Sequence, residues 1–380
     1  MTTVYLIRHA EAEGNVYRRI HGQYDSLITP NGERQLEALA ERFQGLPLDA
    51  VYASDLYRTR RTAAAAAKYS GLPVQPVPGL RELALGQWED MTWGEVERRW
   101  PEKLWQFNHQ PELWAVEGGE TFEVLRRRLS GTVRELVRCN PDRTIVVASH
   151  GMAIRALTSV LLGLSCAEMD QVPHSDNTGI TVLRARDAAH IDVISAIGDI
   201  AHLSEELSTF ATQHWWKKGG KQILDSNLWF RPLEPGDPFP DECRRAAWQE
   251  LHGDLDYYNE GPADSRRRSW AAMLKDTVVG VVETEPAAGR TTLFWLLPEY
   301  RNGRLGPQLL GQAVSACRSA GSDTLSVLLP RSARAVEFFR RWGFREAGYF
   351  PGADVRVPML KLELPIAVPE FSSDGGEISS

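Results

Sequence analysis

Residues 6–15 read LIRHAEAEGN, and an apolar run ends there abruptly in an arginine and a histidine. The residues TVYLI (3–7) are apolar and β-branched, which predicts a buried strand. A second such run, RTIVVAS (143–149), is followed at once by His150 and then by a helical pattern. Ligands of open α/β sheets bind at the carboxyl ends of the strands, so we expect His9 and His150 to meet at one sheet edge.

The first half of the chain alternates between strand and helix patterns. TPNGERQLEALAERF predicts a helix capped by Thr29 with Pro30 in its first turn, and GETFEVLRRRLSGTVRELVRC predicts a helix capped by Thr121. SDLYRTRRTAAAAAKYS predicts a helix opened by Ser54. This alternation is typical of an α/β/α sandwich with three layers around a mostly parallel sheet.

Composition restricts the class of protein. A length of 380 residues predicts two domains, because single hydrophobic cores rarely grow so large. The net charge of −7 argues against nucleic acid as the main partner. The four cysteines form no CxxC pair, which gives neither a zinc motif nor a disulfide framework and suits a reducing cytoplasm. The N-terminus lacks a signal-peptide pattern and no apolar stretch is long enough to span a bilayer, so we expect a cytoplasmic protein without a membrane partner.

The sequence changes character after residue 200. RPLEPGDPFP (231–240) is rich in proline, and the final residues PEFSSDGGEISS are polar and acidic. The expected organisation is a first domain over 1–205, a linker over 206–224, a second domain over 225–365 and a polar tail over 366–380.

Arginines accompany both histidines. Arg8 directly precedes His9, and Arg58 lies near the start of the helix opened by Ser54. A guanidinium group pairs phosphate oxygens bidentately, and a helix N-terminus offers backbone N–H donors. Two arginines and two histidines at one strand edge therefore predict a site for an oxyanion.

Five segments resemble, in the same order, the signature blocks of the histidine phosphatase (phosphoglycerate mutase-like) superfamily. They are LIRHAEAEGN, HGQYDSLITPNG, SDLYRTRRTA, LRELALGQWED and VVASHGMAIR, all within residues 1–200. Ala10 stands where the family more often has glycine, and Thr59 and Arg61 depart from its third block.

The resemblance implies a role for each matching residue. His9 would be the nucleophile that becomes a phosphohistidine, and Glu82 would protonate the leaving oxygen and then act as the base for water. Arg8, Arg58 and His150 would hold the phosphoryl oxygens. The implied substrate-binding residues are Asn15, Gly22, Ser54 and Gly151. The pattern requires no metal, because the arginines supply the positive charge.

Hydrolysis and mutase activity both remain open at this point. Mutases of the family carry a longer insertion between the two histidine blocks, whereas here EGGETFEVLRRR resembles the matching segment of α-ribazole phosphatase-like proteins. We therefore expect a phosphatase for a small phosphorylated metabolite, with a phosphoglycerate mutase as the alternative. The tryptophans of segment 88–114 form either an aromatic lid over the substrate or the core of a cap. They are Trp88, Trp93, Trp100, Trp105 and Trp114.

The second half of the chain predicts strands, a glycine-bearing loop and a helix, a general arrangement for binding pyrophosphate. PEYRNGRLGPQLL resembles the acyl-CoA loop of the GNAT acyltransferases, and SARAVEFFRRWGF resembles a later helix of that family. The resemblance implies a smaller α+β domain, acetyl-CoA as the cofactor and a small amine as the acceptor. The implied cofactor-binding residues are Leu296, Arg301, Gly303, Arg304 and Gly306.

Two departures bear on acetyl transfer. Arg304 occupies the first glycine of the loop motif, and Phe339 replaces the tyrosine that protonates the leaving thiolate in the family. Glu283 is a candidate base for an amine, with an ordinary solvated glutamate as the alternative. The chain is then either a bifunctional enzyme or a phosphatase whose second domain serves binding or dimerisation, and a homodimer is a candidate assembly.

Overall fold

The structure, a computed structural model, describes residues 1–213, 226–234, 237–252, 266–301, 303–351 and 358–371. These residues form two sheets, one of six strands and one of seven. The chain therefore consists of an N-terminal unit and a C-terminal unit, each built around its own sheet. No helix in the described ranges has the length and apolar character needed to cross a membrane.

The N-terminal sheet is mostly parallel, as predicted. Its strands are β1 (Thr2–Arg8), β2 (Ala50–Ala53), β3 (Val74–Pro76), β4 (Thr144–Ser149), β5 (Ile180–Ala185) and β6 (Ile191–Val193). Their order in space is β3-β2-β4-β1-β5-β6. The pairings within β3-β2-β4-β1 are parallel, whereas β5 and β6 are antiparallel additions at one side. The neighbours β1 and β4 consequently end at the same sheet edge.

Helices cover both faces of this sheet. They are α1 (Glu13–Tyr17), α2 (Pro30–Phe43), α3 (Tyr57–Ala67), α4 (Trp93–Arg99), α5 (Pro101–His109), α6 (Phe122–Cys139), α7 (Gly151–Leu161) and α8 (Thr209–Thr212). Ile7 packs with Phe43 of α2 in one core cluster. Leu6, which points to the opposite face, packs with Leu129 of α6 and Leu157 of α7 in another. The three-layer sandwich follows from this alternation.

Two predicted helix caps are present and one is replaced. Thr29 accepts from the backbone N–H of Gly32 at 3.0 Å, and Thr121 caps α6 in the same way. The helix predicted to open at Ser54 begins instead at Tyr57. Its N-terminal N–H donates to the carboxylate of Asp25, at 2.9 and 3.0 Å, so the cap comes from a distant segment.

The tryptophans of segment 88–114 pack mainly with one another. Trp88 and Trp114 are buried with ring centroids 5.4 Å apart, and Phe107 lies 6.0 Å from Trp88. Trp93 and Trp100 pack at the border of the same cluster. These rings form the core of a cap, which was the second of the two alternatives, and only Trp105 among the five is strongly exposed, at 51%.

The C-terminal sheet has the order β12-β13-β11-β10-β9-β8-β7. Its elements are β7 (Trp229–Pro232), α9 (Phe239–His252), β8 (Arg268–Leu274), β9 (Thr277–Glu285), β10 (Arg290–Leu296), α10 (Gly306–Ser319), β11 (Thr324–Pro330), α11 (Ala335–Arg341), β12 (Arg345–Pro351) and β13 (Pro358–Pro365). Leu309 of α10 and Phe339 of α11 share one core cluster, and Cys243 of α9 belongs to another. The helices therefore cover both faces of this sheet as well.

The predicted linker and tail lie partly outside the described residues, which leave out 214–225 and 372–380. The described start of the linker packs on the N-terminal unit, where Ser208 donates to Asp176 at 2.6 Å and Thr209 donates to Glu11 at 2.8 Å. The described start of the tail is also packed, because the ring of Phe371 lies 5.5 Å from that of Tyr57. The domain limits stay a prediction.

Replacing Trp88 by alanine should destabilise the protein by about 3–5 kcal/mol, the usual cost of removing a large aromatic side chain from a packed core. Trp105→Ala removes an exposed ring from the same cap and should change the free energy of unfolding by less than about 0.5 kcal/mol. Urea unfolding followed by circular dichroism measures both variants. Equal losses in the two would contradict the placement of Trp88 in the core.

Candidate active site

The ends of β1 and β4 bring His9 and His150 together. Arg8 and Ser149 are paired across the two strands, and the N–H of His9 donates to the carbonyl oxygen of Ser149 at 2.9 Å. Both imidazole rings are buried, and their centroids lie 5.3 Å apart in an edge-to-face arrangement. The structure thus places the two histidines in one pocket at the sheet edge.

His9 is held in one tautomer. Its Nδ1 lies 2.7 Å from the carbonyl oxygen of Ala10, which can only accept a hydrogen bond, so Nδ1 carries the proton. Nε2 then keeps its lone pair, as a nucleophilic imidazole requires. Burial, followed by the charges of Arg58 and Arg8, holds the pKa of His9 well below its usual 6.5. The ring is therefore neutral at physiological pH.

Arg58 is buried and oriented by backbone oxygens. Its Nη2 donates to Gly22 O at 2.8 Å and its Nη1 to Tyr24 O at 3.0 Å, while a carboxylate oxygen of Asp25 lies 3.5 Å from Nη1. The Nε of Arg58 is buried and has no hydrogen-bond partner within the described part of the chain. Such a donor is costly unless a ligand completes it.

Arg8 supplies a second guanidinium group. Its Nη1 donates to Ser175 O at 2.6 Å, and its buried Nε is also without a partner among the described residues. A Cβ atom at Gly151 would lie 3.2 Å from this Nε. The missing side chain at Gly151, predicted as a substrate-binding position, lets the guanidinium approach the start of α7.

His150 contributes a third unpartnered nitrogen. Its Nε2 lies 2.9 Å from the hydroxyl of Ser54, and its buried Nδ1 has no partner in the described residues. Burial, then the charges of Arg58 and His9, holds the pKa of His150 well below 6.5. Ser54, predicted to open a helix and to bind substrate, contacts His150 instead of capping α3.

Glu82 lies at the N-terminus of α7. One of its carboxylate oxygens accepts from the N–H of Ala153 at 2.8 Å and the other from Met152 at 3.0 Å. A carboxylate of the chain therefore accepts from the first N–H groups of α7, and at the helix of Arg58, where the sequence analysis expected free donors, the N–H of Tyr57 likewise donates to Asp25. The charge of Glu82 also acts on Arg8 and Arg58, which places it beside the pocket.

Asn15 and Gly22, both predicted to bind substrate, each use an oxygen atom for a hydrogen bond within the chain. The side-chain oxygen of Asn15 accepts from the N–H of Ala12 at 2.9 Å, so it caps the short helix α1. A hydrogen bond from Asn15 to a phosphoryl group would have to come from its Nδ2. Gly22 contributes its carbonyl oxygen, which orients Arg58.

Several residues of the pocket escaped the sequence analysis. Asn177 donates to the carbonyl oxygen of His9 at 2.8 Å, and the half-buried His21 lies against Gly14 with its Nδ1 3.3 Å from Ser26 Oγ. Asn177 belongs to the polar run HSDNTG before β5, which resembles an ordinary turn. His21 begins the segment HGQYDSLITPNG, and the arginine pair two residues before it is the sequence feature that could have marked it as a site residue.

In the C-terminal unit, the predicted cofactor loop joins β10 to α10. Strands β10 and β11 are paired at their starts, through Arg290–Ser326 and Thr291–Val327. A bulge in β10 follows these pairs, and the two strands diverge beyond the bulge. Arg304 has a φ of 58°, the left-handed region that glycine tolerates best. No side chain of the described residues caps α10 at Leu305. Backbone at this loop therefore suits an anionic ligand.

The remaining cofactor-loop residues are engaged in local contacts. Arg301 donates to Leu296 O at 3.0 Å and to the carboxylate of Glu250 at 2.9 Å, and its guanidinium stacks over Trp295. Gly303 is buried, and Gly306 begins α10.

The residues considered for the chemistry of acetyl transfer are packed inside the C-terminal unit. Glu283 is buried in β9, where it accepts from Arg244 at 2.6 Å and from Thr292 at 2.6 Å, so it is neither a free base nor a solvated glutamate. Phe339 is buried against Phe294 at 5.3 Å. Glu283 is therefore already paired, and Phe339 is a core residue with no proton to donate.

The sequence matches two protein families. Residues 4–192 match the histidine phosphatase superfamily (branch 1), and residues 238–351 match the acetyltransferase (GNAT) domain. The two matches fall on the two sheets of the structure.

Individual relatives resemble about half of this chain. The probable phosphoglycerate mutase GpmB of Cronobacter sakazakii is 34% identical over 209 residues, which cover 53% of this chain and 95% of the relative. Phosphoserine phosphatase 1 of Hydrogenobacter thermophilus is 29% identical over 205 residues, which cover 54% and 96%. The solved structure of Bacillus stearothermophilus YhfR, 29% identical, matches with a TM-score of 0.51 over 53% of this chain and 99% of its own.

The buried neutral imidazole of His150 predicts a pH dependence of stability. Its folded-state pKa lies well below 6.5, so below pH 6.5 the unfolded state binds a proton that the folded state does not, and stability falls with pH. Relative to His150→Asn, the wild-type protein should lose about 2 kcal/mol of unfolding free energy between pH 7 and pH 5. Urea titrations at both pH values measure the difference, and a pH-independent difference would refute the neutral state.

Proposed function

Because this chain belongs to the histidine phosphatase superfamily and its C-terminal unit is a GNAT acetyltransferase domain, we propose that its N-terminal domain hydrolyses phosphomonoesters. We place that domain at residues 1–205 and the GNAT domain at 225–365. The observation that carries the proposal is the neutral imidazole of His9, whose Nε2 keeps its lone pair beside the guanidinium groups of Arg8 and Arg58.

The first step transfers the phosphoryl group to His9. Nε2 attacks phosphorus, a P–N bond forms, and the P–O bond to the leaving alcohol breaks. Glu82 gives a proton to the leaving oxygen, so the product departs as a neutral alcohol. The N–H groups of Met152 and Ala153 donate to the carboxylate of Glu82 and fix its orientation.

Positive charge for the transfer comes from side chains that are already oriented. Backbone oxygens fix the guanidinium groups of Arg8 and Arg58 before substrate arrives, and each group keeps an unpartnered Nε within the described residues. The Nδ1 of His150 is the third unpartnered nitrogen. Donors fixed in this way stabilise the charge on the equatorial phosphoryl oxygens without reorganising during the reaction.

The second step releases phosphate. Glu82, now ionised, accepts a proton from a water molecule as that water attacks the phosphohistidine. The P–N bond breaks, inorganic phosphate leaves, and the proton held by Nδ1 of His9 against Ala10 keeps the imidazole in its starting tautomer.

The substrate class we propose is a small phosphomonoester that carries a carboxylate. The names of two relatives refer to phosphoglycerate and phosphoserine, which share that chemistry. The name of the first relative also supports a mutase as the second candidate. The four unpaired cysteine thiols support a cytoplasmic setting.

For the GNAT domain we propose acetyl-CoA as a ligand. The loop from Gly303 to Gly306 at the start of α10 would hold its pyrophosphate, and acetyl-CoA would supply an acetyl group for an amine. Phe339 has no proton to donate and Glu283 is already paired, so these residues support binding more than transfer.

His9→Ala should reduce phosphate release by at least about 10³-fold, because no other group of the pocket replaces the nucleophile. Phosphoserine, 3-phosphoglycerate and p-nitrophenyl phosphate serve as substrates, and acid-labile radiolabel on the wild-type protein reports the phosphohistidine. His109→Ala, at an exposed histidine of α5, is the matched control and should keep full activity.

Two outcomes would redirect the proposal. Substantial turnover by His9→Ala would remove this residue as nucleophile. Transfer of phosphate between positions of phosphoglycerate, with little free phosphate, would favour the mutase.

Acetyl-CoA should bind the wild-type protein with a Kd below about 100 μM in isothermal titration calorimetry, the range expected for a preformed anion site. Arg304→Glu places a carboxylate in the loop and should weaken binding by about tenfold or more, because it repels the pyrophosphate. Glu299→Gln, before the loop, is the control. The absence of binding heat to the wild type would favour a GNAT domain that serves only binding of other partners or dimerisation.

A further inference from the structure

Helix α1, which follows the His9 loop, is packed against α10 of the GNAT domain. Tyr17 at the end of α1 belongs to the apolar core of the C-terminal unit. A Cβ atom at Gly311 of α10 would lie 2.5 Å from the Cβ of Tyr17, so glycine is what allows the helices to approach this closely. The phosphatase loop and the GNAT domain are thus in direct contact.

Arg318, on the same face of α10, extends this contact into the phosphatase domain. Its Nη2 donates to the two carboxylate oxygens of Glu13, at 2.9 and 3.0 Å, and its Nη1 lies 3.5 Å from the hydroxyl of Tyr24. Its Nε donates to Ile366 O at 2.7 Å. The side chains of Arg318 and Glu13 are only 16% and 7% exposed. A largely covered guanidinium that is shared among three partners fixes the direction of each partner as well as its distance.

Arg19 forms a second polar contact between the domains. Its Nε donates to Asp90 at 2.8 Å, and its terminal nitrogens donate to Gln312 and Ser315 of α10, each at 3.0 Å. Ser315 in turn donates to Asp90 at 2.5 Å. The segment that follows α1 is therefore held to α10 at both of its ends, by Arg19 and by the Arg318–Tyr24 contact.

The segment between these anchors is the one that orients Arg58. The carbonyl oxygens of Gly22 and Tyr24 accept from its two terminal nitrogens. Tyr24 is consequently held from two sides, its hydroxyl by Arg318 and its carbonyl by Arg58. The next residue, Asp25, caps α3 at Tyr57, beside Arg58 in the chain. A continuous series of contacts connects α10 of the GNAT domain to a guanidinium of the phosphoryl site.

We propose that Arg318 is a positioning residue for the phosphatase: through Glu13 and Tyr24 it fixes the segment 13–25, and that segment fixes Arg58. The GNAT domain thereby completes the phosphatase site without contributing an atom to it. This inference rests on the proposed phosphatase activity. It requires Arg318 to affect the transition state more than the ground state, because a small displacement of a charge-stabilising group costs about 10²-fold in rate.

The test compares the wild-type chain with Glu13→Gln/Arg318→Met, which removes both charges and leaves neither buried alone. We expect kcat for p-nitrophenyl phosphate to fall about 10- to 100-fold while KM changes less than about threefold. The inhibition constant of orthovanadate should rise in parallel with the loss of kcat. Arg318→Lys keeps the charge but not the fork, and should recover only part of the activity.

The matched control is Glu337→Gln/Arg340→Met. This variant removes an exposed ion pair of 2.7 Å within α11 of the same domain, together with the contact of Arg340 with Glu346, and should keep the wild-type kcat. Thermal unfolding and the amount of acid-labile phosphoenzyme per chain give the fraction of folded, reactive protein, to which every rate is normalised.

The outcomes separate this inference from the proposed function. If the wild-type chain releases no phosphate from any of the tested esters, the proposed function fails. If the wild type is active and Glu13→Gln/Arg318→Met keeps the wild-type kcat per folded chain, the positioning role is refuted while the phosphatase stands. A uniform loss of folded protein with normal kcat in the remainder would likewise show that Arg318 acts on stability alone.

Discussion

The guanidinium groups of Arg8 and Arg58 lie with two neutral, buried imidazoles at the end of β1, and the positive charge of the two arginines constrains the rest of the N-terminal domain. Burial lowers the pKa of Arg8 and of Arg58, because the low-dielectric surroundings disfavour their charged form. The same burial keeps His9 and His150 uncharged. In the proposed reaction, a phosphoryl group would add negative charge beside these two guanidinium groups and occupy their unpartnered Nε atoms.

Backbone carbonyls hold these arginines without neutralising them. The oxygens of Gly22, Tyr24 and Ser175 accept hydrogen bonds from the terminal nitrogens, which fixes the planes of the guanidinium groups. The carboxylates close to the pocket are partly used elsewhere, because Asp25 caps α3 and Glu82 accepts from the N-terminus of α7. The positive charge of the two arginines therefore stays available to a ligand, and Asp25 and Glu82 are each held by backbone N–H groups.

The sequence was sufficient to predict the strands that carry the site, but it was insufficient to predict the contacts between distant segments. Apolar runs that end in Arg8–His9 and His150 predicted two neighbouring strands, because strand period and parallel topology are local properties. The cap of α3 by Asp25 and the contact of Ser54 with His150 depend on segments far apart in the chain, and no local pattern encodes them. Ser54 at a helix start looks like an ordinary cap until the fold brings His150 beside it.

The GNAT domain illustrates how one element serves two structural purposes. Helix α10 begins at the loop that suits a pyrophosphate and ends in Arg318, which contacts the phosphatase domain. Its middle carries Gly311, whose missing side chain admits Tyr17 of the other domain. Because a helix is stiff over this length, a ligand at its first turn and the phosphatase segment at its last turn act on one rigid body. The residues of α10 that contact Tyr17 and Glu13 therefore join the two domains, and their packing connects the loop proposed for acetyl-CoA to the segment that orients Arg58.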